Sequence, residues 1–208
     1  MNQIATFHSP FREKFGIPRQ AGVVADVEGT IVLNPEYRKA EALRGMEEFD
    51  YLWLIWTFSA NAHSANSLTV RPPRLGGNKH MGVFATRSPY RPNPIGLSSV
   101  RLDHIDYEAA GGPVIHVKGA DLMDGTPILD IKPYIPYTDS HPEARGGFTD
   151  TTAWRELEVE GTDDETLRQI LAQDPRPQYH DNPERIYTME YNDRQVRFKV
   201  NGQKLIIL

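Results

Sequence analysis

The chain has 208 residues, a formal net charge of −5 and no cysteine, which excludes disulfides, thiolate metal sites and a cysteine nucleophile. That length holds one good core plus a small appended unit, and the acidic balance argues against bulk electrostatic coating of nucleic acid, so any RNA contact must be local. Residues Met1 to His8 lack a signal-peptide profile, and no apolar run approaches the roughly 18 residues of a membrane span, so a cytoplasmic protein without a membrane anchor is expected.

Sixteen glycines and sixteen prolines, most of them before residue 150, cut the first part into short pieces, as an all-β barrel requires. In chain order, Val23 to Val27 and Thr30 to Leu33 flank Glu28-Gly29 as a hairpin. Asn34 as N-cap, Pro35 at the first helical position, and Tyr37, Ala40 and Leu43 at helical spacing predict a helix that Gly45 stops. The apolar, tryptophan-rich run Leu52 to Phe58 reads as a strand buried on both faces. Val114 to Lys118 and Ile128 to Lys132 alternate as strands around the turn-rich segment Asp121 to Pro127. A polar, glycine-rich stretch over 141–153 is a linker. Beyond it, Thr162 and Glu165 form a capping box for a helix through Leu167, Ile170 and Leu171, stopped at Asp174-Pro175. Val196, Phe198 and Val200, the turn Asn201-Gly202 and Leu205 to Leu208 make a closing hairpin. The expected fold is mainly β: a small β-barrel catalytic domain with a short helix over 1–140, the linker, and a small α+β domain over 154–208.

Dinucleotide, phosphate-loop, zinc-protease and serine-hydrolase signatures are absent, and the seven histidines, His63 among them, stand at no ligand spacing, so no metal is expected. Four loops carry unusual chemistry. In Ser9 to Gln20, Phe11 and Phe15 could stack on a base while Arg12 and Lys14 meet phosphates, or the segment is a loop with incidental charge. Arg71 to Lys79 is stiffened by Pro72-Pro73 and loosened by Gly76-Gly77, which suits a lid, a presenter of Arg71, Arg74 and Lys79, or a plain surface excursion. In Phe84 to Leu97, three prolines pin the backbone and leave Arg87, Tyr90, Arg91 and Asn93 on a rigid support. Asn93 between two prolines is loosely similar to the Asn-Pro-Pro-aromatic motif of amino-group methyltransferases, with Ile95 where the aromatic would be. The turn Asp121 to Pro127 exposes backbone groups able to hold an adenosine or an amino-acid moiety, or simply joins two strands.

Together these loops closely resemble the TsaA/UPF0066 family. The resemblance runs through Ser9-Pro10-Phe11, Pro18-Arg19-Gln20, Val70 to Asn78, Met81 to Ser88, Arg91 to Gly96, Asp121-Leu122, Asp124 to Pro127 and Asp130 to Tyr134, and it continues into Leu171 to Pro177. It implies a β-barrel homodimer that binds S-adenosylmethionine at or near the subunit interface. It further implies methyl transfer to the exocyclic amino nitrogen of threonylcarbamoyladenosine, next to the anticodon of threonine tRNA. Carried over by position, the cofactor contacts fall on Pro18, Arg19, Gln20, Arg87, Leu97, Asp124, Gly125, Thr126 and Pro127. A further family contact, His-Gln, falls on Ser59 and Ala60, so this chain departs from the pattern there.

On this reading Asn93 orients the target amine, with Tyr134 or Asp121 as polar support, and alignment near 3–3.5 Å with desolvation supplies most of the rate. Arg12, Lys14, Arg71, Arg74, Lys79 and Arg91 are the candidates for contact with the anticodon stem-loop of tRNA, and the second unit would help to orient it. The bends around Asn93 and Gly125 should meet in one pocket. The alternatives are a non-catalytic RNA-binding barrel that stacks bases on Phe11, Phe15 and Tyr90, and a small-molecule methyltransferase of the same fold.

Overall fold

The computed structural model describes residues 1–61, 67–77, 79–152, 156–177 and 180–208; His63, Asn78 and the last residue of the expected linker lie outside the described residues. The first part of the chain supplies β1 (Ala5–His8), β2 (Glu28–Leu33), β3 (Tyr51–Thr57), β4 (Thr69–Val70), β5 (Met81–Gly82), β6 (Ile95–Asp106), β7 (Val114–Lys118) and β8 (Thr126–Pro133). Six of these strands pair in the order β1-β2-β7-β6-β3-β8, and β8 pairs back onto β1, so the sheet closes into a barrel, antiparallel throughout. Closure leaves each of the six with two neighbours, which removes the exposed edge that an open sheet must protect. β4 and β5 form a separate two-stranded ribbon.

The core follows from period-2 alternation. Phe7, Ile31, Leu52, Leu54, Val100, Ile115, Val117 and Ile128 point inward and are buried together. β3 corrects the expectation of burial on both faces: Leu52, Leu54 and Trp56 are buried, whereas Trp53, Ile55 and Thr57 between them are only half-buried. Its pairing with β8 is irregular between Ile55 and Trp56.

Two further expectations fail for local reasons. No strand covers Val23 to Val27; Val24 and Val27 are buried at a spacing of three on an irregular segment, and only β2 forms. The helix after Asn34 reduces to two 3-10 turns, Ala40–Leu43 and Met46–Glu48. Asn34 spends its groups on strand-like bonding, its amide to the Ile4 carbonyl at 2.8 Å and its side chain to the Gln3 carbonyl at 2.8 Å. Leu43 alone anchors the first turn, too little apolar face for a packed helix.

After β8 come α1 (Pro136–Asp139) and α2 (Phe148–Thr151), then β9 (Glu158–Glu160), α3 (Glu165–Ala172), β10 (Tyr187–Tyr191), β11 (Arg194–Asn201) and β12 (Lys204–Ile207). The last four strands form a sheet in the order β10-β11-β12-β9, with β9 parallel to β12. The N-cap of α3 is Asp164, whose carboxylate accepts from the Leu167 amide at 2.9 Å, and the Thr162 hydroxyl, the expected cap, instead accepts from the Asp164 amide. The closing hairpin turns on Gly202-Gln203, since Asn201 pairs with Lys204. β10 and β11 turn on Asn192-Asp193, both at positive φ, the backbone of a tight hairpin. The second core joins Leu167, Ile170, Leu171, Met189, Phe198 and Leu205 to Phe11, Val24 and Val27 from the segment between β1 and β2. Among the described residues no helix is long and apolar enough to cross a membrane.

Candidate functional site

A cavity of about 650 Å³ opens beside β3, where the segment before β2, the loop before β6 and the start of the Asp121 turn converge. Its aromatic wall is Trp53, Trp56 and Phe58. The irregular pairing of β3 lies within this wall, and both indoles line the cavity although they stand at odd spacing on the strand. Such irregularities re-aim side chains beside functional sites. Trp56 and Phe58 meet edge to face at 4.3 Å. Gly96 lets the indole pass: a Cβ there would stand 2.2 Å from Trp56 Cε2.

The polar side of the cavity is a set of linked groups. Trp56 Nε1 donates to Ser98 Oγ at 3.0 Å, and Ser98 donates to Asp121 Oδ1 at 2.6 Å. Burial pushes the Asp121 carboxyl above its usual range; the Ser98 bond, its own amide, the Ala21 amide and the Arg87 charge oppose this only in part. Arg87 donates to Gln20 Oε1 at 2.5 Å, and Gln20 Nε2 donates to the Arg19 carbonyl at 2.6 Å. Arg19 donates to the Asp174 carbonyl at 2.9 Å. Burial lowers the Arg19 pKa to about 10, with the Asp174 charge opposing, and leaves it a cation at neutral pH. The outer lip is apolar, with Phe84 74% and Leu97 56% exposed.

Of the residues singled out in the sequence, the cavity brings together Pro18, Arg19, Gln20, Arg87, Arg91, Asn93, Leu97 and Asp121. Tyr134 stands behind the wall, its ring 5.6 Å from that of Trp53. Ser59 and Ala60 are exposed just beyond Phe58. The bends around Asn93 and Gly125 do not meet within one chain. Asp124 lines a different cavity, of about 500 Å³, with His8, His104, His116 and Lys118. The turn is tied to β1 and its flank instead: the Gly125 amide donates to the Phe7 carbonyl at 2.9 Å, the Asp124 amide to the Phe11 carbonyl at 2.8 Å, and His8 Nδ1 lies 3.0 Å from Asp124 Oδ1. Thr126 is buried and donates to the Met123 carbonyl, and Pro127 pairs with Thr6.

The candidate RNA contacts divide as well. Phe11 is fully buried and so offers no face to a base, the half-buried Phe15 stacks on Phe198 and Tyr187, and Tyr90 is 52% exposed. Arg12 pairs with Asp193 at 2.5 Å, and Lys14 donates to Asn61 Oδ1 at 2.6 Å. Arg74 donates to the carbonyls of Thr149 and Thr152 and thereby fastens α2. Arg91 donates to the Thr86 carbonyl at 3.1 Å, inside its own loop. Arg71 donates to His80 at the surface, and Lys79 is exposed. Among the described residues no group of three or more His, Asp or Glu is placed to hold a metal ion. Trp53, Trp56, Phe58 and Ser98 are the site residues not anticipated from the sequence; the tryptophan-rich run signals core as readily as cavity wall, and Ser98 carries no sequence signal at all.

Two family models match the chain, the tRNA-methyltransferase O N-terminal domain over residues 6–140 and the TrmO C-terminal domain over residues 150–208. A tRNA (adenine(37)-N6)-methyltransferase of Escherichia coli K12 is 39% identical over 216 residues, 95% of this chain and 92% of that protein. A Pseudomonas aeruginosa protein described as a candidate S-adenosylmethionine-dependent methyltransferase is 40% identical, over 99% of this chain and 94% of that one. A crystal structure of TrmO superposes with a TM-score of 0.80 at 33% identity, covering 99% of this chain and 95% of the other.

Proposed function

This chain belongs to the tRNA-methyltransferase O family, and from that premise we propose that it transfers a methyl group from S-adenosylmethionine to N6 of the adenine at position 37 of tRNA. The observation that carries the proposal is the cavity that gathers Pro18, Arg19, Gln20, Arg87, Asn93 and Leu97 against two indoles. Its volume lies within the range of small-molecule sites, roughly 300–1,000 Å³. Its walls also match the donor's chemistry: aromatic faces for a purine and for a cation, guanidinium groups for a carboxylate, and the Asp121 carboxyl for a positive group. Bound there, S-adenosylmethionine supplies a methyl group on a positively charged sulfur, with a neutral thioether as leaving group.

The residues divide the remaining work. Trp53 and Trp56 exclude water and strengthen every charge interaction in the cavity. The Arg87 to Gln20 bond fixes two polar groups on facing loops. The Asn93 amide oxygen accepts an N–H of the target amine and turns its lone pair toward the donor, which is catalysis by alignment, and the proton that the methylated nitrogen sheds is released to water. On this reading the modified base is threonylcarbamoyladenosine of threonine tRNA, and the reaction takes place in the cytoplasm. Arg71 and Lys79 contact the anticodon stem-loop. A homodimer accounts for the separation of the two bends, because a second copy could bring its Asp124 to Pro127 turn to the apolar lip at Phe84 and Leu97. The RNA-binding barrel loses Phe11 to the second core and most of Phe15 to packing against it, which leaves Tyr90, 52% exposed, as its one open ring of the three.

Three measurements test this reading. Calorimetry of purified protein with S-adenosylmethionine gives a saturable isotherm. Mass spectrometry of nucleosides from tRNA finds a methyl added at adenine 37 only when the protein is present; a methylated small molecule with unmodified tRNA would overturn the tRNA assignment. Asn93→Ala lowers kcat on the order of a hundredfold with little change in donor affinity; equal losses in both would make Asn93 structural.

A further inference from the structure

The irregular segment between β1 and β2 presents Pro18, Arg19 and Gln20 to the cavity, yet its apolar side chains are held largely elsewhere. Phe11, Val24 and Val27 are fully buried in the core built by α3 and the C-terminal sheet, and Phe15 and Ile17 pack against that core. Phe15 lies parallel to Phe198, with ring centroids 6.2 Å apart, and Phe11 stands 5.7 Å from Tyr191. Gly16, at a φ of +95°, sits so close to Met189 that a Cβ would fall 2.3 Å from the Met189 methyl carbon. Polar contacts run to both units: on the barrel side the Asp124 amide donates to the Phe11 carbonyl and the Gly22 amide to the Gly119 carbonyl, and others reach the C-terminal unit. The Asn192 amide donates to the Pro10 carbonyl, the Glu190 amide to the Glu13 carboxylate, and Arg12 pairs with Asp193. Arg19, itself a cavity residue, donates to the Asp174 carbonyl just past α3. No described residue after Asp121 lines the cavity.

We infer that the C-terminal unit is a positioning element of the methyl-donor site: it acts through Phe11, Phe15, Ile17 and Arg19 to hold Pro18-Arg19-Gln20 in the cavity wall. This rests on the proposal that the cavity binds the donor. A segment without regular structure carries a large entropic cost of ordering, and the apolar contacts that offset it here come mainly from the second core. The unit therefore contributes to donor affinity without touching the donor. Coupling of this kind is reciprocal: whatever the C-terminal sheet does for the ligand, the ligand does for the sheet.

Hydrogen exchange of the full-length protein, with and without S-adenosylhomocysteine, tests the inference together with Phe15→Ala and the milder Phe15→Leu. The ligand is expected to slow exchange in β10 and β11 as well as in the cavity wall. Phe15→Ala is expected to weaken S-adenosylhomocysteine binding on the order of tenfold, to raise KM for the donor while leaving kcat at saturation near the wild-type value, and to abolish the protection of β10 and β11. Phe15→Leu should recover part of each, and it carries the test alone if Phe15→Ala does not fold by circular dichroism. Wild-type protein that binds no S-adenosylhomocysteine would overturn the reading of the cavity itself. Binding by the wild type with protection confined to residues 5–133, and equal affinity in a folded Phe15 variant, would overturn the positioning role and leave the cavity assignment standing.

Discussion

Gly96→Ala tests how tightly the cavity wall is built. Gly96 of β6 lies opposite Trp56 of β3. An added Cβ would meet Trp56 Cε2 at 2.2 Å, Cζ2 at 2.4 Å and Cδ2 at 2.5 Å, whereas ordinary contact begins near 3.4 Å. The indole must therefore retreat by about 1 Å, since contacts below van der Waals distance rise steeply in energy. It has little room to do so. Trp56 is 7% exposed, Phe58 meets its ring at 4.3 Å, and Nε1 is tied to Ser98 at 3.0 Å. Overpacking costs about 1–3 kcal/mol, and loss of the indole bond about 0.5–1.5 kcal/mol, so the variant should be less stable by about 1.5–4.5 kcal/mol. At about 2–4 °C per kcal/mol for a chain of this size, Tm should fall by roughly 3–18 °C. Donor affinity should fall with it, because the displaced ring is a wall of the cavity. Trp56→Phe in the Gly96→Ala background should regain part of the stability, since the smaller ring vacates the crowded positions, giving a non-additive cycle by urea unfolding. A Gly96→Ala protein that melts within about 1 °C of wild type, or strictly additive losses in the cycle, would refute the reasoning.

Asp139 of α1 accepts from Trp53 Nε1 at 2.8 Å and from the Ile135 amide at 2.9 Å, and these bonds, the backbone one first, hold its carboxyl below its ordinary value of 3.8. A depressed carboxyl contributes stability that is present above the unfolded pKa and lost as pH falls through the folded one. Asp139→Ala should thus loosen Trp53 at neutral pH, seen as altered tryptophan fluorescence and a donor affinity lower by about two- to fivefold, and it should remove the wild-type loss below pH 3.8. Asp121 has the opposite sign: its raised carboxyl favours the folded state below the ordinary 3.8 and loses that contribution as pH rises through the folded value. Asp121→Asn should therefore flatten stability against pH in urea titrations, with its advantage over wild type growing toward neutral pH. Removing Arg71 and Lys79 together should raise the apparent constant for tRNA and reduce its salt dependence by about one log unit per charge. Arg74→Ala should act chiefly on the 148–152 segment that it fastens, and limited proteolysis would detect this.

What could be read in the sequence was whatever depends on near neighbours. Val114 to Lys118, Ile128 to Lys132 and the closing hairpin alternate with period two and form strands, because strand burial is decided residue by residue along one face. The helix expected after Asn34 failed because Leu43 is the only buried residue in its first turn, and capping and spacing without a buried face do not sustain a helix. Likewise Pro18 to Gln20, Arg87, Asn93 and Leu97 were separate motifs, and the closed sheet gathers them beside β3. The turn at Asp124 to Pro127 carries equally strong local signals, yet its amides bond to β1 and its flank and face another cavity. Which side of a sheet a turn faces is a property of its distant pairing partner, and no spacing within the turn encodes it.

Phe11 and Phe15 make the same point about composition. Aromatic rings interleaved with Arg12 and Lys14 have one pattern in the sequence whether they stack on RNA or on protein. Here the choice is settled by Tyr187, Tyr191 and Phe198, far along the chain. The cations follow the rings: once Phe11 and Phe15 face the second core, Arg12 lies against Asp193 and Glu190, and Lys14 against Asn61. A segment that looks like a nucleic-acid grip thus becomes the joint between two cores. Because Arg19 in the same segment lines the cavity, that joint is where the inferred coupling between the C-terminal sheet and the affinity of the site would run.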